Sequence, residues 1–131
     1  MYDPQQKVIA NLHAGWRGNV QNMYHLAVET LRKTYDCKPA NLMVGVSPSL
    51  GPCCAEFVHF TAEFPPSFID FQVRPCYFDL WELARAQWLK AGILPHHIQI
   101  AGVCTACNTD DFFSYRKEKI TGRNGTVIMK H

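Results

Sequence analysis

Hydrophobic positions recur with two different spacings along the chain, and each spacing predicts one type of element. Apolar alternation, or a short buried apolar run, predicts strands in four places: residues 7–12, 42–46, 98–103 and 126–129. Spacings of three and four predict amphipathic helices from near Asn19 to Lys33 and from Leu80 to Ala91. This order predicts a mixed α/β fold, with a layered sandwich of mixed β-sheet and flanking helices.

The second predicted helix carries start and stop signals. Asp79 precedes its first residue, and Glu82 lies three positions later, as in a capping pair. Gly92 suits the position that follows a helix C-terminus, and Pro95 prevents the helix from continuing. These signals place the helix between Asp79 and Gly92.

Length and charge narrow the class of protein. A chain of 131 residues predicts a single domain over positions 1–131, or part of one. The net charge of +2 is too small to argue for a nucleic-acid partner. No apolar run approaches the roughly 20 residues that cross a bilayer, and the first residues lack the apolar core of a signal peptide. We therefore expect a cytoplasmic protein without a membrane partner.

Candidate chemistry is concentrated in the segment after the first predicted strand, Leu-His-Ala-Gly-Trp-Arg-Gly at positions 12–18. Gly15 and Gly18 allow a tight turn with exposed amides, and Arg17 adds a permanent cation suited to phosphate or carboxylate. His13 can bind a metal or move a proton near neutral pH. A lone histidine is more often a hydrogen-bonded structural residue. The concentration of His, Trp and Arg within five positions instead favours an active site that handles anions.

Six cysteines are present, at positions 37, 53, 54, 76, 104 and 107. Without a secretory context, reduced thiols are the expected state. Cys104 and Cys107 have a C-x-x-C spacing and, together with Cys53 and Cys54, suggest a zinc site. A structural zinc usually takes two spaced pairs, and adjacent cysteines rarely bind one ion together. We therefore favour buried structural cysteines over a metal site or a nucleophile.

The segment from Asn108 to Lys117 is the second candidate. Its aromatic residues can stack on a base, and Arg116 can hold an anion. A turn whose aromatic side chains belong to the core explains the same residues equally well.

Four segments together resemble the laccase-domain family, which is also described as polyphenol-oxidase-like and as purine nucleoside phosphorylases. The first is His-Ala-Gly-Trp-Arg-Gly at positions 13–18, and the second is Ser-Pro-Ser-Leu-Gly-Pro-Cys-Cys at positions 47–54. The third runs from Phe78 to Ile93. The last combines Cys104-Thr105, residues 112–116 and residues 121–123. The resemblance covers nearly the whole chain in register.

The resemblance implies a zinc-dependent enzyme that cleaves inosine, guanosine or adenosine with phosphate to a base and ribose 1-phosphate. Adenosine deamination and methylthioadenosine phosphorolysis are related activities of the family. His13 matches a family zinc ligand and is assigned as metal ligand and catalytic residue. Arg17 matches a phosphate-holding residue with a catalytic role. For substrate binding we add Gly15, Phe113 and Arg116.

The resemblance also implies that two further zinc ligands, a His and a Cys in a Thr-Ala-Asp-Cys context, precede the matched region. No such stretch occurs in these 131 residues. The chain is thus interpreted as the C-terminal part of a family member. One imidazole cannot hold zinc alone. We expect the exposed faces to favour a homo-oligomer, or pairing with the missing N-terminal segment.

Two other functions stay open. The chain is either a catalytically incomplete binding or half-site module, or a copper-dependent polyphenol oxidase. Laccase chemistry needs several His-rich copper sites. The six histidines, of which only His96 and His97 are adjacent, do not have that spacing.

Overall fold

The computed structural model describes residues 1–130 and confirms the mixed α/β class. The strands are β1 (Tyr2–Asp3), β2 (Val8–Ile9), β3 (Val44–Val46), β4 (Gln72–Arg74), β5 (Tyr77–Phe78) and β6 (Ile98–Ile100). The helices are α1 (Trp16–Val20), α2 (Met23–Tyr35), α3 (Phe60–Glu63), α4 (Leu80–Lys90) and α5 (Tyr115–Glu118). Three short 3-10 helices cover Pro39–Asn41, Pro66–Phe71 and Pro95–His97.

The strands form three pairs. β1 and β2 are antiparallel, β4 and β5 are antiparallel, and β3 and β6 are parallel. The chain divides into two units. Among the described residues, the first unit comprises 1–46, 84–100 and 126–130; the second comprises 47–83 and 101–125. The boundary between the units falls within α4.

The core of the first unit lies around the parallel pair. Val44 and Ile98 are opposite each other in register, and both are buried. The apolar face of α2 contributes Tyr24, Val28 and Leu31, as the helical spacing predicted. The ring of Tyr24 lies 4.4 Å from that of Trp88. This packing holds the segment between β2 and α2, which carries His13 and Arg17.

The second unit is built around phenylalanines. Phe78 is 1% exposed, and its ring lies 4.9 Å from the ring of Phe64 and 5.2 Å from that of Phe60. Phe57 and Phe68 complete the cluster. Edge-on and tilted aromatic pairs of this kind add to the free energy gained by burial.

Several predicted boundaries differ from the structure. The strand expected over residues 7–12 is limited to Val8–Ile9, because β1 pairs with only these two residues. The expected strand at Thr126–Met129 is wrong, since these residues form no strand and Val127 is 90% exposed. Without a partner to receive ladder hydrogen bonds, β-branched residues do not make a strand. The first helix begins at Trp16 rather than near Asn19, and is interrupted before α2.

The prediction that Asp79 caps α4 is confirmed, whereas the Asp79 N–H donates to the Phe71 carbonyl at 2.8 Å rather than to Glu82. The Asp79 carboxylate oxygen Oδ1 accepts hydrogen bonds from the backbone N–H groups of Trp81 at 2.9 Å and Glu82 at 3.0 Å. Gly92 has a φ of +94°, the left-handed conformation that suits glycine after a helix.

Replacing Asp79 with alanine is expected to lower the free energy of unfolding by about 1 kcal/mol, because two amide donors lose their acceptor. Urea denaturation measures this loss. Asp79→Asn keeps the side-chain oxygen and should remain within about 0.5 kcal/mol of the original chain. An equal loss in both variants would show that the carboxylate charge, rather than the hydrogen bonds, stabilises the helix.

Between residues 1 and 130, every helix is too short or too polar to reach across a bilayer.

Candidate functional site

His13 lies in the extended segment between β2 and α1, and its side chain is exposed. This segment follows β2 directly: the Ala10 N–H donates to the Met1 carbonyl at 3.0 Å, and the Met1 amino group donates to the Ala10 carbonyl at 2.9 Å. The chain then turns into α1 at Gly15. Gly15 has an extended backbone and occupies the N-cap position of α1, and Arg17 is the second residue of that helix. Both predicted site residues therefore lie at the start of α1.

Arg17 is exposed on α1 and rests on its neighbour. Its guanidinium carbon lies 4.3 Å from the centre of the Trp16 ring. Stacking on an aromatic face leaves the guanidinium edge, which carries the N–H donors, free of that contact. The Trp-Arg pair therefore presents a permanent cation with a planar set of donors to solvent. An oxyanion in solution can reach this cation.

Asn19 and Gly18 fix the other end of α1. Asn19 is 2% exposed, and its backbone carbonyl accepts a hydrogen bond from the Gln87 side chain at 2.8 Å. A Cβ at position 18 would lie 3.0 Å from that of Ala14, so Gly18 permits this close approach. After α1 the backbone breaks at Asn22, whose φ is +52°. The short helix is thus held in place from both sides.

Phe113, a predicted substrate-binding residue, belongs to the second unit and is 53% exposed. Asn124 holds its backbone by two hydrogen bonds: the Phe113 N–H donates to Asn124 Oδ1 at 3.0 Å, and Asn124 Nδ2 donates to the Phe113 carbonyl at 2.7 Å. The ring lies against Gly122, where a Cβ would come within 2.8 Å of it. The side chain is therefore a surface aromatic on a fixed backbone, and not part of the core.

Arg116 is also in the second unit and has a structural contact. Its Nη1 donates to the Glu56 carbonyl at 2.6 Å, and its guanidinium lies 5.1 Å from the ring centre of Phe57. These contacts tie the segment around α5 to the turn that follows Cys54. If Arg116 holds an anion, as the sequence predicts, it does so with the guanidinium N–H donors that are not bonded to the Glu56 carbonyl.

Four cysteines of the second unit come together: Cys53, Cys54, Cys104 and Cys107. Their sulfur atoms all lie within 4.8 Å of one another. The Cys107 sulfur is 3.4 Å from that of Cys53 and 3.5 Å from that of Cys54. All four thiols are free, and the group can hold a metal ion.

The four sulfur atoms come together because two chain segments run side by side. Ser49 and Cys104 form a parallel bridge, with the Ser49 N–H donating to the Val103 carbonyl at 3.1 Å and the Thr105 N–H to the Ser49 carbonyl at 3.0 Å. Immediately afterwards each segment turns: the Ala55 N–H returns to the Gly51 carbonyl, and the Cys107 N–H returns to the Cys104 carbonyl. Each turn brings two thiols to the same place.

Gly51 is required for this approach. A Cβ at position 51 would lie 2.8 Å from the Trp81 ring and 2.9 Å from the Cβ of Cys104. Without a side chain there, the Gly51 N–H reaches the Cys104 sulfur at 3.3 Å. Trp81 is fixed in turn, because its Nε1 donates to the Ser49 hydroxyl at 2.8 Å.

The thiols differ in acidity. Although the Cys53 residue is exposed, loss of hydration around its thiol raises the pKa to about 12, and the Cys107 thiol acts in the same direction. Burial likewise raises the pKa of Cys54. For Cys104 burial also opposes ionisation, but N–H donors, led by that of Gly51, lower its pKa to about 7. Cys104 is therefore the first of these thiols to ionise.

The sequence predicts buried structural cysteines rather than a metal site, because Cys53 and Cys54 are adjacent. The turn at residues 51–55 nevertheless places the sulfurs of both residues beside Cys107. Cys53 and Cys107 are exposed, so they are not core residues. The C-x-x-C spacing of Cys104 and Cys107 is the sequence signal that points to this cluster.

A metal ion can be held where ligand atoms of three or more His, Cys, Asp or Glu side chains lie close together. Within residues 1–130, the four cysteines meet this condition. His13 is not in this group. A catalytic zinc takes three protein ligands. The described residues alone therefore do not fit a zinc site centred on His13.

Comparison with known proteins connects these features to a family. The whole chain, residues 1–131, matches the family described as multi-copper polyphenol oxidoreductase laccase. A human protein named purine nucleoside phosphorylase LACC1 is 30% identical over 126 residues, which are 88% of this chain and 29% of that protein. A purine nucleoside phosphorylase of Xylella fastidiosa is 32% identical over 127 residues, which are 91% of this chain and 47% of the relative. The chain thus spans half or less of the length of these relatives.

The fold has a counterpart among solved structures. The crystal structure of the Bacillus licheniformis hypothetical protein YfiH matches with a TM-score of 0.79 at 24% identity. The match covers 90% of this chain and 48% of that protein. At this identity the likeness concerns the fold.

Proposed function

Because the chain belongs to the multi-copper polyphenol oxidoreductase laccase family, we propose that it takes part in the phosphorolysis of purine nucleosides. The observation that carries this proposal is the match, over about nine-tenths of the chain, to relatives named purine nucleoside phosphorylase. The substrates proposed are inosine, guanosine or adenosine together with inorganic phosphate. Adenosine deamination and methylthioadenosine phosphorolysis are proposed as side activities.

Phosphorolysis requires an oxyanion beside the sugar. A phosphate oxygen forms a bond to C1′ of the ribose while the bond from C1′ to the purine nitrogen breaks. The purine leaves with that electron pair and takes up a proton. Arg17 supports the first part of this step, because an exposed guanidinium over the Trp16 ring offers planar donors and positive charge to phosphate.

His13 and Gly15 are proposed to act on phosphate beside Arg17. Gly15 lets the chain turn into α1 without a side chain in the way of the ligand. His13 is exposed, and an imidazole can pass a proton to a leaving purine near neutral pH. As a zinc ligand, His13 would need partners from another polypeptide segment, and no step is derived through that metal.

Phe113 and Arg116 are proposed to bind the purine. The exposed Phe113 ring, with its backbone fixed by Asn124, can stack on a flat base. Arg116 keeps donors beyond the one that reaches the Glu56 carbonyl. The partners implied are thus a small nucleoside and phosphate.

The test is an assay of purine release from inosine at increasing phosphate concentration, with and without added zinc. We expect hypoxanthine release that rises with phosphate and saturates. Release that is independent of phosphate would mean hydrolysis and would contradict the proposal. No release under any condition would instead support the half-site module, which the isolation of His13 from other ligand groups among residues 1–130 favours.

Oxidation of polyphenols with copper is the less favoured function. It depends on clustered imidazoles. Among the described residues, His96 and His97 lie edge to face with ring centres 4.4 Å apart, but the one ligand group present contains cysteines and no histidine. Oxygen uptake with a phenolic substrate and added copper would reveal this activity directly.

A further inference from the structure

The geometry points to a structural zinc site in the second unit, in which Cys53, Cys54, Cys104 and Cys107 bind one Zn²⁺ ion. This site is separate from the proposed function: it uses none of the residues assigned to phosphate or purine. It also does not depend on ligands beyond the chain described here. The two proposals can therefore fail independently.

Distances between the sulfur atoms fit one tetrahedral ion. Four sulfurs at the usual Zn–S distance of about 2.3 Å are separated from each other by about 3.8 Å. Two of the pairs are 3.4 Å and 3.5 Å apart, and no pair exceeds 4.8 Å. The ideal separation lies within this range.

A disulfide explains the cluster less well. Cys107 is almost equally close to Cys53 and Cys54, whereas a disulfide joins only two sulfurs. A metal ion uses all four thiols at once. Cys53 and Cys107 are also exposed, which rules out simple burial in the core as the reason for the cluster. Soft thiolate ligands in a set of four select zinc over the harder cations.

The surroundings suit a negatively charged zinc–thiolate group. Each bound thiol ligates as a thiolate, so binding releases the thiol protons to solvent. The Gly51 N–H donates to the Cys104 sulfur at 3.3 Å, and Arg74 brings a permanent cation to the cluster by donating to the Cys53 carbonyl at 3.0 Å. Donors of this kind orient metal ligands and balance their charge.

We expect the ion to have a structural role, because it would join two turns in a unit with little regular structure. Apart from its share of α4, the second unit has one two-stranded sheet, two α-helices of four residues and one 3-10 helix. Segments 51–55 and 104–107 are each a single turn, and small units with little regular structure commonly need a metal or a disulfide. A zinc ion would cross-link the two turns.

The experiment is metal analysis of the chain, produced without a histidine tag in zinc-supplemented medium. We expect about one zinc per chain, and X-ray absorption at the zinc edge should show four sulfur neighbours at about 2.3 Å. Cys104→Ser and Cys107→Ser should each lose most of the zinc. Cys76→Ser removes a thiol outside the cluster and should retain it, as should His13→Ala.

Spectroscopy of the unaltered chain keeps the test independent of whether the variants fold. Cobalt added in place of zinc should give the intense visible bands of tetrahedral cobalt together with thiolate charge transfer in the near ultraviolet. Removal of zinc by a chelator should lower the melting temperature by about 10 °C or more. Nitrogen or oxygen neighbours at the zinc edge, copper as the bound metal, or disulfides among these four cysteines in the mass spectrum would overturn the proposal.

Discussion

Replacing Arg17 with alanine is expected to lower kcat/KM for phosphate about 100-fold in the phosphorolysis assay, because the transition-state charge loses a guanidinium partner. The guanidinium is exposed and stacked on Trp16 in the structure, so its removal opens no cavity in the core. Stability and zinc content should therefore stay nearly unchanged. Steady-state kinetics at varied phosphate concentration, with saturating inosine, measures the effect.

Two matched variants separate charge from geometry at this position. Arg17→Lys keeps the charge without the planar donors and should give an intermediate rate. Arg32→Ala removes a surface arginine of α2 that pairs with Glu29 at 2.9 Å, and it should leave the rate unchanged. An Arg17→Ala enzyme with normal kcat/KM for phosphate would remove Arg17 from the site.

Replacing Phe78 with alanine is expected to lower the free energy of unfolding by about 3–5 kcal/mol, since a fully buried ring is lost and a cavity remains. Phe78 is 1% exposed and contacts the rings of Phe60 and Phe64. Its N–H also donates to the Ala55 carbonyl at 3.1 Å, next to the cysteine turn. Urea denaturation followed by circular dichroism measures the loss.

Ile120→Ala provides the control for this prediction. Ile120 lies in the same unit but is 95% exposed, so the change should stay within about 0.5 kcal/mol. If Phe78→Ala also changed stability by less than about 1 kcal/mol, the phenylalanine cluster would not be the core of the second unit.

Local signals predicted α4 and the centres of β3 and β6. The two ends of α4 were readable because Asp79 and Gly92 act through hydrogen bonds and backbone conformation close to the helix itself. The apolar residues of β3 and β6 pack in the core of the first unit, to which both strands belong. Where a residue's role depends on its neighbours in sequence, the sequence predicted the structure well.

The segment around α1 was predicted less well because its glycines have low helix propensity. Gly15 and Gly18 indicated a loop, yet α1 begins at Trp16. Contacts distant in sequence stabilise this short helix: Gln87 reaches the Asn19 carbonyl, and the backbone approaches closely at Gly18. Tertiary packing of this kind overrides propensity.

The spacing suggested the four cysteines as a group, but it could not show that their sulfur atoms meet. Cys54 and Cys104 are far apart in the chain, and their meeting depends on the bridge between Ser49 and Cys104 and on the missing side chain at Gly51. Neither feature has a local sequence signal. The roles of His13, Gly15, Arg17, Phe113 and Arg116 remain predictions, which the kinetic experiments address.

Detection of the sugar product by phosphorus NMR tests the central claim most directly. When the chain is incubated with inosine and inorganic phosphate, we predict a resonance of ribose 1-phosphate that grows in equal amount to the hypoxanthine released. Free ribose with an unchanged phosphate signal, or inosine that remains intact, would contradict the account.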